Sequence, residues 1–537
     1  MTTSERVPTG EPGVASQTPW HEGRLGAAAT GVVAVALALG IAELLSALGR
    51  WVGVLGASSS PIVALGQTFI QFTPEWLKEL AIRTFGEHDK DALTAGMLLT
   101  VLIVAIGIGL IHRTRPRVAF VVTLGLLVVA GAAVLTRPGA DALDLIPLAV
   151  GGLVGVAFLI AVARSRLRPA TPTAADDSAK PTDRRRFLSL LAGGALVAAA
   201  AGGLARLIPS AAQVAESRRR VTLPTAADQQ RLDVDGTVLP VTGLTPFVTA
   251  NADFYRVDTA YAVPALTTDT WQLRIHGAVD REITLTFDDL LAMPSVERMI
   301  TLTCVSNEVG GKLAGNARWQ GVRLADLLEM AGPQGGSDCV LSTSADGFTV
   351  TTPLAALTDG RDALLAYAMN GEPLPVEHGF PVRMVVPGLY GYVSATKWVV
   401  DLEITRFADV TAYWTQRGWS PQAPIKTASR IDVPAGFARL TPGTVAVAGM
   451  AWAQHRGIRG VQVQIDDGPW QDATLSGELT TDIWRQWSFP WAATDPGIHT
   501  IRCRAVDADG MVQTDQVQGV MPDGSTGLDS RQVTVTA

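Results

Sequence analysis

Apolar residues run almost unbroken through Leu25 to Leu48, Ala92 to Ile111, Val118 to Thr136 and Leu145 to Ala163. Each run is close to the ~20 residues that carry an α-helix across a bilayer, so four spans are expected. A fifth apolar run, Phe187 to Ile208, is rich in Ala and Gly and follows Arg184, Arg185 and Arg186. The segment Trp51 to Phe72 is apolar but interrupted by Ser58, Ser59, Ser60 and Pro61, which predicts a surface or re-entrant loop rather than a span. Beyond residue 208 the period shortens. Runs at Trp271 to Ile275, Met299 to Cys304 and Val382 to Val386 read as strands, and Arg323 to Met330 and Arg361 to Met369 as helices, between Gly and Pro turns. After about residue 425, Val461, Val463 and Ile465 alternate with Gln462 and Gln464, and Ile501, Cys503 and Ala505 with Arg502 and Arg504. That period of two, without helices, predicts a small β-sandwich.

The layout expected from these patterns is multi-domain. It has a polar tail at 1–24, a four-span transmembrane region at 25–163, a cytoplasmic linker at 164–183 and a signal-anchor helix at 184–208. A second linker at 209–245 leads to an α+β domain at 246–425 and an immunoglobulin-like β-sandwich at 426–537. Basic residues near span ends stay in the cytoplasm. His112, Arg113, Arg115 and Arg117 mark one such loop, and Arg164, Arg166, Arg168 and Arg184 to Arg186 another. Five spans then put everything after Ile208 outside the cytoplasmic membrane. Asp183 to Leu188 resembles a twin-arginine export signal, a route that moves folded passengers, with a stop-transfer basic cluster as the plainer alternative.

Charge and chemistry narrow the function classes. A net charge of -7 with 17% charged residues provides no basic field, so nucleic acid is not an expected partner. Three cysteines, Cys304, Cys339 and Cys503, are too few and scattered for a disulfide framework, zinc ribbon or iron-sulfur run. A transmembrane haem is not expected, because only His88 and His112 flank a span and they lie at opposite ends of the same one. Glu43 is the one acid inside a span, near its outer end, and packing or proton movement are both open to it. The chain shows no G-x-S-x-G elbow, P-loop or dinucleotide fingerprint.

Ordered blocks carry the reading further. Thr303, Cys304, Val305, Ser306, Asn307, Glu308, Val309, Gly310, Gly311 is followed by Gly315, Asn316, Ala317, Trp319 and Gly321. A second block runs Leu364 to Met369, Asn370, Gly371, Pro373 to Pro375, His378, Gly379, Pro381 to Arg383, Val386 to Gly388, then Lys397 and Trp398. Together they resemble the sulfite oxidase-like family of molybdopterin-dependent oxidoreductases, in a membrane-anchored bacterial form, over about residues 245 to 535. The resemblance implies a molybdenum-molybdopterin cofactor with Cys304 as catalytic metal ligand, a soft thiolate suited to molybdenum. It implies cofactor contacts at Tyr255, Arg256, Asn307, Asp346, His378, Arg383 and Lys397, where Arg and Lys suit a terminal phosphate. It further implies a small-molecule substrate and a separate electron carrier. The sandwich resembles the family's dimerisation domain, which admits a homodimer.

Three departures bear on the substrate. Glu308 and Val309 stand where sulfite oxidases have an arginine pair, the entry segment Tyr255 to Thr259 shifts or loses the family's Arg and His, and Trp419 replaces the mobile active-site tyrosine. The expectation is therefore oxygen-atom transfer on a small, sulfur-type substrate, without sulfite being named. The alternatives are a non-enzymatic surface binding module on a degenerate molybdopterin fold, and a transporter built on the four-span unit.

Overall fold

The computed structural model describes residues 23–537 except 53, 56–58, 75–76, 78–79, 81–83, 85–88, 138–139, 168–179, 208–209 and 261–262. Most of the expected tail (1–22) and of the cytoplasmic linker (168–179) thus lies outside the described residues. The chain divides into two compact units, Met1–Pro209 and Ser210–Ala537.

The first unit is helical: α1 (Arg24–Trp51), α2 (Pro61–Phe72), α3 (Asp89–Thr114), α4 (Pro116–Leu135), α5 (Ile146–Leu167) and α6 (Lys180–Leu207). Five segments are long and apolar enough to cross a membrane: Arg24–Arg50, Ala92–Thr114, Pro116–Leu135, Ala142–Arg164 and Phe187–Ala205. They coincide with the five runs of the sequence. α1 packs against α3, α5 and α6, and small residues let the backbones close up. A Cβ on Gly31 would overlap the Ala105 carbonyl oxygen, one on Gly109 that of Ala27, and one on Gly151 that of Ala38. In an apolar solvent such close approach is a main source of helix association. The segment 51–72, expected as a loop, is in part the helix α2. At 12 residues and a rise of ~1.5 Å per residue it is far too short to span. Pro61 opens it, and Glu43 of α1 caps it, accepting from the Ser60 hydroxyl (2.8 Å) and the Ile62 amide (2.9 Å). The carboxylate of Glu43 therefore has a packing role.

The second unit begins earlier than expected. Residues 210–245, the described part of the segment read as a linker, are built into it. In α7 (Ser210–Arg220), Val214 is 2% exposed in a core with Phe254 and Trp319, and Arg218 donates to the carbonyls of Pro373 and Leu374. β1 (Asp228–Gln229) pairs in parallel with β4 (Val296–Thr303). So few apolar residues are buried here that the pattern gave no amphipathic signal.

Two sheets form the α+β part. The first runs β1, β4, β5 (Ala314–Arg323), β8 (Leu364–Met369), β10 (Arg383–Val385), with β9 (Glu372–Pro373) pairing on β8. The second runs β3 (Ile283–Thr286), β2 (Gln272–Gly277), β11 (Val399–Thr405), β6 (Cys339–Ser344), β7 (Thr349–Pro353). Three short helices fill the connections: α8 (Phe287–Ala292), α9 (Leu324–Ala331) and α10 (Leu354–Thr358). α9 matches its expectation, but 361–369 does not: it ends in a strand, β8, instead of forming a helix. Leu364 and Ala366 enter one core, Leu365 and Tyr367 the other. A strand buried on both faces loses its alternation and reads like a buried helix. Asn370 and Gly371, at φ 52° and 82°, form the two-residue turn joining β8 to β9.

Two further sheets face each other C-terminally. One is β12 (Ala428–Val433), β14 (Gly443–Trp452), β18 (Arg485–Ala493), β17 (Thr474–Leu475). The other is β13 (Arg439–Leu440), β20 (Ser530–Val535), β19 (Gly497–Asp507), β15 (Ile458–Ile465), β16 (Gln471–Asp472). Val447, Ala451 and Trp487 from the first meet Val461, Ile501 and Cys503 from the second, forming the expected sandwich core. The sandwich also grips the α+β part. Trp484 Nε1 donates to the Phe247 carbonyl (2.8 Å), and Gln454 Nε2 to Thr303 Oγ1 (2.9 Å), at the end of β4.

Candidate functional site

β4 ends at Thr303, and Cys304 is the first residue of the loop that returns the chain to β5. Its amide donates to the Leu313 carbonyl (2.9 Å) and its carbonyl accepts from the Asn307 amide (3.1 Å). Asn307 Oδ1 accepts from the Leu313 amide (2.8 Å), closing the loop from inside. The sandwich closes it from outside: Ser525 Oγ donates to the Asn307 carbonyl (2.7 Å) and Arg430 to the Gly311 carbonyl (3.0 Å). Gly310 (φ 74°) lies against the Asp529 carboxylate, where no side chain would fit. The Cys304 thiol is thus held in place by its backbone, and is 8% exposed. Burial pushes its pKa up, against the pull of hydrogen bonds from Ser306. At neutral pH it is a thiol until a soft cation displaces the proton.

Cys304 opens onto a solvent-connected cavity. A second chain segment supplies its cations. A 3-10 turn, Val376–His378, ends at Gly379 (φ 112°) and leads to Arg383 at the start of β10, while Lys397 lies just before β11. The Arg383 guanidinium is 5% exposed and donates to the carbonyls of His378 (3.0 Å), Met384 (3.4 Å) and Ala395 (3.4 Å). Its centre stands 5.0 Å from the Trp319 ring. Among the described residues no carboxylate pairs with it. Burial lowers its pKa to about 10, so the charge persists at neutral pH. A buried cation without a counter-ion costs several kcal/mol, and an anion entering the cavity would relieve that cost. Lys397, pulled down to about 8 by burial, donates to Asp258 (2.8 Å) and to the Glu377 carbonyl (3.0 Å). His378, lowered to about 4 by burial and by Arg383, is neutral and is anchored at the Asn251 carbonyl (3.0 Å). Burial raises the Asp346 carboxyl; it accepts from the Phe348 amide (3.2 Å).

Of the eight expected site residues, Cys304, Tyr255, Asp346, His378, Arg383 and Lys397 line this one cavity. Asn307 does not, its side chain being spent on the Leu313 amide. Arg256 does not either; it is exposed and paired with Asp258 at 3.0 Å. Glu308 and Val309 line a separate cleft with Tyr390, Trp452 and Ser525, so those two departures do not shape the Cys304 cavity, whereas Trp419 does line it. Asp258, Phe348, Tyr392 and Trp414 also line it and were not anticipated. Asp258 lies in an irregular stretch where no period assigns direction. The aromatic density of Tyr413, Trp414 and Trp419 in a polar segment was the available signal for Trp414. Among the described residues no group of three or more His, Cys, Asp or Glu could hold a metal ion. A metal here would depend on a cofactor for its remaining ligands, and one thiol facing an unneutralised buried cation fits a group that brings its own sulfur ligands and a phosphate.

Comparison with known proteins accords with this donor set. Residues 260–414 match the oxidoreductase molybdopterin binding domain. Human mitochondrial sulfite oxidase is 32% identical over 322 residues, covering 50% of this chain and 58% of that one, so the chain spans under two thirds of that relative's length. The uncharacterised oxidoreductase YuiH of Bacillus subtilis is 38% identical over 149 residues, covering 28% of this chain and 72% of that one. Among solved structures, the sulfane dehydrogenase SoxCD of Paracoccus pantotrophus aligns with TM-score 0.48 and 23% identity over 54% of this chain and 82% of that one. With this match to most of YuiH and with the molybdopterin-binding domain covering Cys304 and most of the residues around its cavity, the chain belongs to the sulfite oxidase-like family of molybdopterin oxidoreductases.

Proposed function

We propose that this protein is an oxidoreductase of the cytoplasmic membrane, multi-pass, with its Cys304 cavity on the extracytoplasmic side, working on a small substrate by oxygen-atom transfer. The observation that carries it is the pairing, in one cavity, of a constrained thiol with the buried, uncompensated Arg383. Cys304 would hold molybdenum; Arg383 and Lys397 would hold the pterin's phosphate; His378, neutral, would lie beside it as a hydrogen-bonding wall; Asp346 and Tyr255 would close its polar edge. The molybdenum-pterin group supplies a two-electron oxygen-transfer centre when bound. The substrate, expected to be a small sulfur compound, gains an oxygen from water with release of two protons and two electrons, or undergoes the reverse. The electrons require a separate carrier, since the chain has no haem or iron-sulfur motif. The location rests on the five apolar helices and the basic loops, the export route on the twin-arginine-like run, and a homodimer on the sandwich's resemblance to an immunoglobulin-like dimerisation domain.

The test uses the full chain extracted from membranes of a host that makes the cofactor. Metal analysis and the fluorescence of the released pterin should give near-stoichiometric molybdenum and pterin, and Cys304→Ser should abolish turnover while keeping the circular dichroism of the wild type. Wild-type protein free of both would sink the reading.

A further inference from the structure

We infer that the cavity selects an uncharged substrate with an apolar or aromatic body, gripped by Trp414, Trp419 and Tyr392, and disfavours small oxyanions. This rests on the molybdenum-pterin reading above, because it depends on which cations remain once the cofactor is held.

The cations lining the cavity among the described residues are Arg383 and Lys397, with His378 neutral. The cofactor phosphate would take both, and Lys397 already shares its charge with Asp258 at 2.8 Å. Two nearby arginines do not replace them. Arg256 is paired with Asp258, and Arg417 lies 3.6 Å from the centre of the Tyr413 ring while donating to the Tyr413 carbonyl (2.7 Å). The other ionisable acids on the wall are the carboxyls of Asp258 and Asp346. An oxyanion entering there would leave its hydration shell and meet no spare positive charge.

The aromatic residues are contiguous. Trp414 and Trp419 meet edge-on at 6.0 Å between centroids, and Tyr392 lies 5.7 Å from Trp419. Tyr413 backs Trp414 at 5.1 Å. The Tyr392 hydroxyl is already donated to the Ser420 carbonyl (2.7 Å), so that residue offers the cavity its ring. The Ser420 amide in turn donates to the Pro522 carbonyl (3.0 Å), which fixes the Trp419 turn to the sandwich. Rings fixed in this way and only partly covered present apolar faces to water, and an apolar guest would cover them. Soft sulfur against ring edges adds to that contact.

The experiment takes the full chain with molybdenum and pterin content measured first, so that failure to load counts against the cofactor reading and not against this one. Three probes of different charge are titrated: methyl phenyl sulfoxide, sulfite and phenyltrimethylammonium. Binding is followed by tryptophan fluorescence, with Trp419→Phe identifying the signal from that ring. The neutral probe should bind at least about tenfold more tightly than sulfite. Trp419→Ala should weaken it by about tenfold, the loss falling mainly on KM in turnover assays, with molybdenum content unchanged. Trp419→Phe, which keeps an apolar ring and guards against a merely unfolded variant, should recover most of the loss. Equal or tighter binding of sulfite or of the cation, or neutral-probe binding indifferent to Trp419→Ala, would overturn the inference.

Discussion

Arg383 is a residue whose cost to the fold is offset by the role proposed for it in the site. Its charge is buried against carbonyl oxygens and a tryptophan ring, without a carboxylate. Arg383→Met should therefore stabilise the cofactor-free protein by about 1–3 kcal/mol while removing the cofactor, visible as a higher melting temperature with lost molybdenum. A destabilised cofactor-free variant would show that the carbonyls already satisfy the charge. His378 makes a pH prediction. Its folded pKa of about 4 lies below the ordinary 6.5, so the unfolded chain binds the proton more readily. The contribution of His378 is fully present above pH ~6.5 and is lost as pH falls towards 4, by up to about 3 kcal/mol. Denaturant midpoints of cofactor-free protein between pH 7 and 4 should fall less steeply for His378→Gln than for the wild type; identical slopes would refute it. Six of the eight residues expected from the sequence meet in one cavity, four of them from the two ordered blocks, because such blocks identify a neighbourhood. Asn307 and Arg256 lie in the same neighbourhood, but only backbone geometry decides that one points at Leu313 and the other at Asp258.

At the scale of elements, the turn from His378 through Gly379 to Arg383 sets the spacing of the cationic wall. A Cβ on Gly379 would stand 3.0 Å from that of Arg383 and 3.2 Å from that of Lys397, at a φ of 112° that other residues rarely adopt. Gly379→Ala should cost about 1–3 kcal/mol of stability and lower cofactor occupancy, checked by melting curves and molybdenum content. In the helical unit Gly31 plays a comparable part, its bare Cα admitting the Ala105 carbonyl. Gly31→Leu should reduce the detergent-stable yield of the protein, and Gly96→Leu, where a Cβ meets nothing within 4 Å, should not. The long apolar helices were plain in the sequence because a bilayer demands ~20 successive apolar residues whatever the partners. β8 and α7 were misjudged for opposite reasons: burial on both faces erased the strand's period, and burial of a few residues left the helix looking like solvent-exposed linker.

For the whole molecule, the basic loops make a prediction of topology. External protease applied to intact spheroplasts should digest residues 210–537 and spare a tag placed in the loop holding Arg113 and Arg117. Protection of the larger unit until the membrane is opened would reverse the assignment. Within that unit the sandwich and the α+β part share buried residues, Met450, Trp452 and Trp484 belonging to the same core as β2 and β8.

The bonds from Ser525 and Arg430 to the loop of Cys304 extend that sharing to the proposed metal ligand. Damage more than a hundred residues downstream of the cysteine would therefore register first as leakage of molybdenum. A chelator competition assay becomes a sensor of sandwich integrity, able to report loosening there before any change in secondary structure.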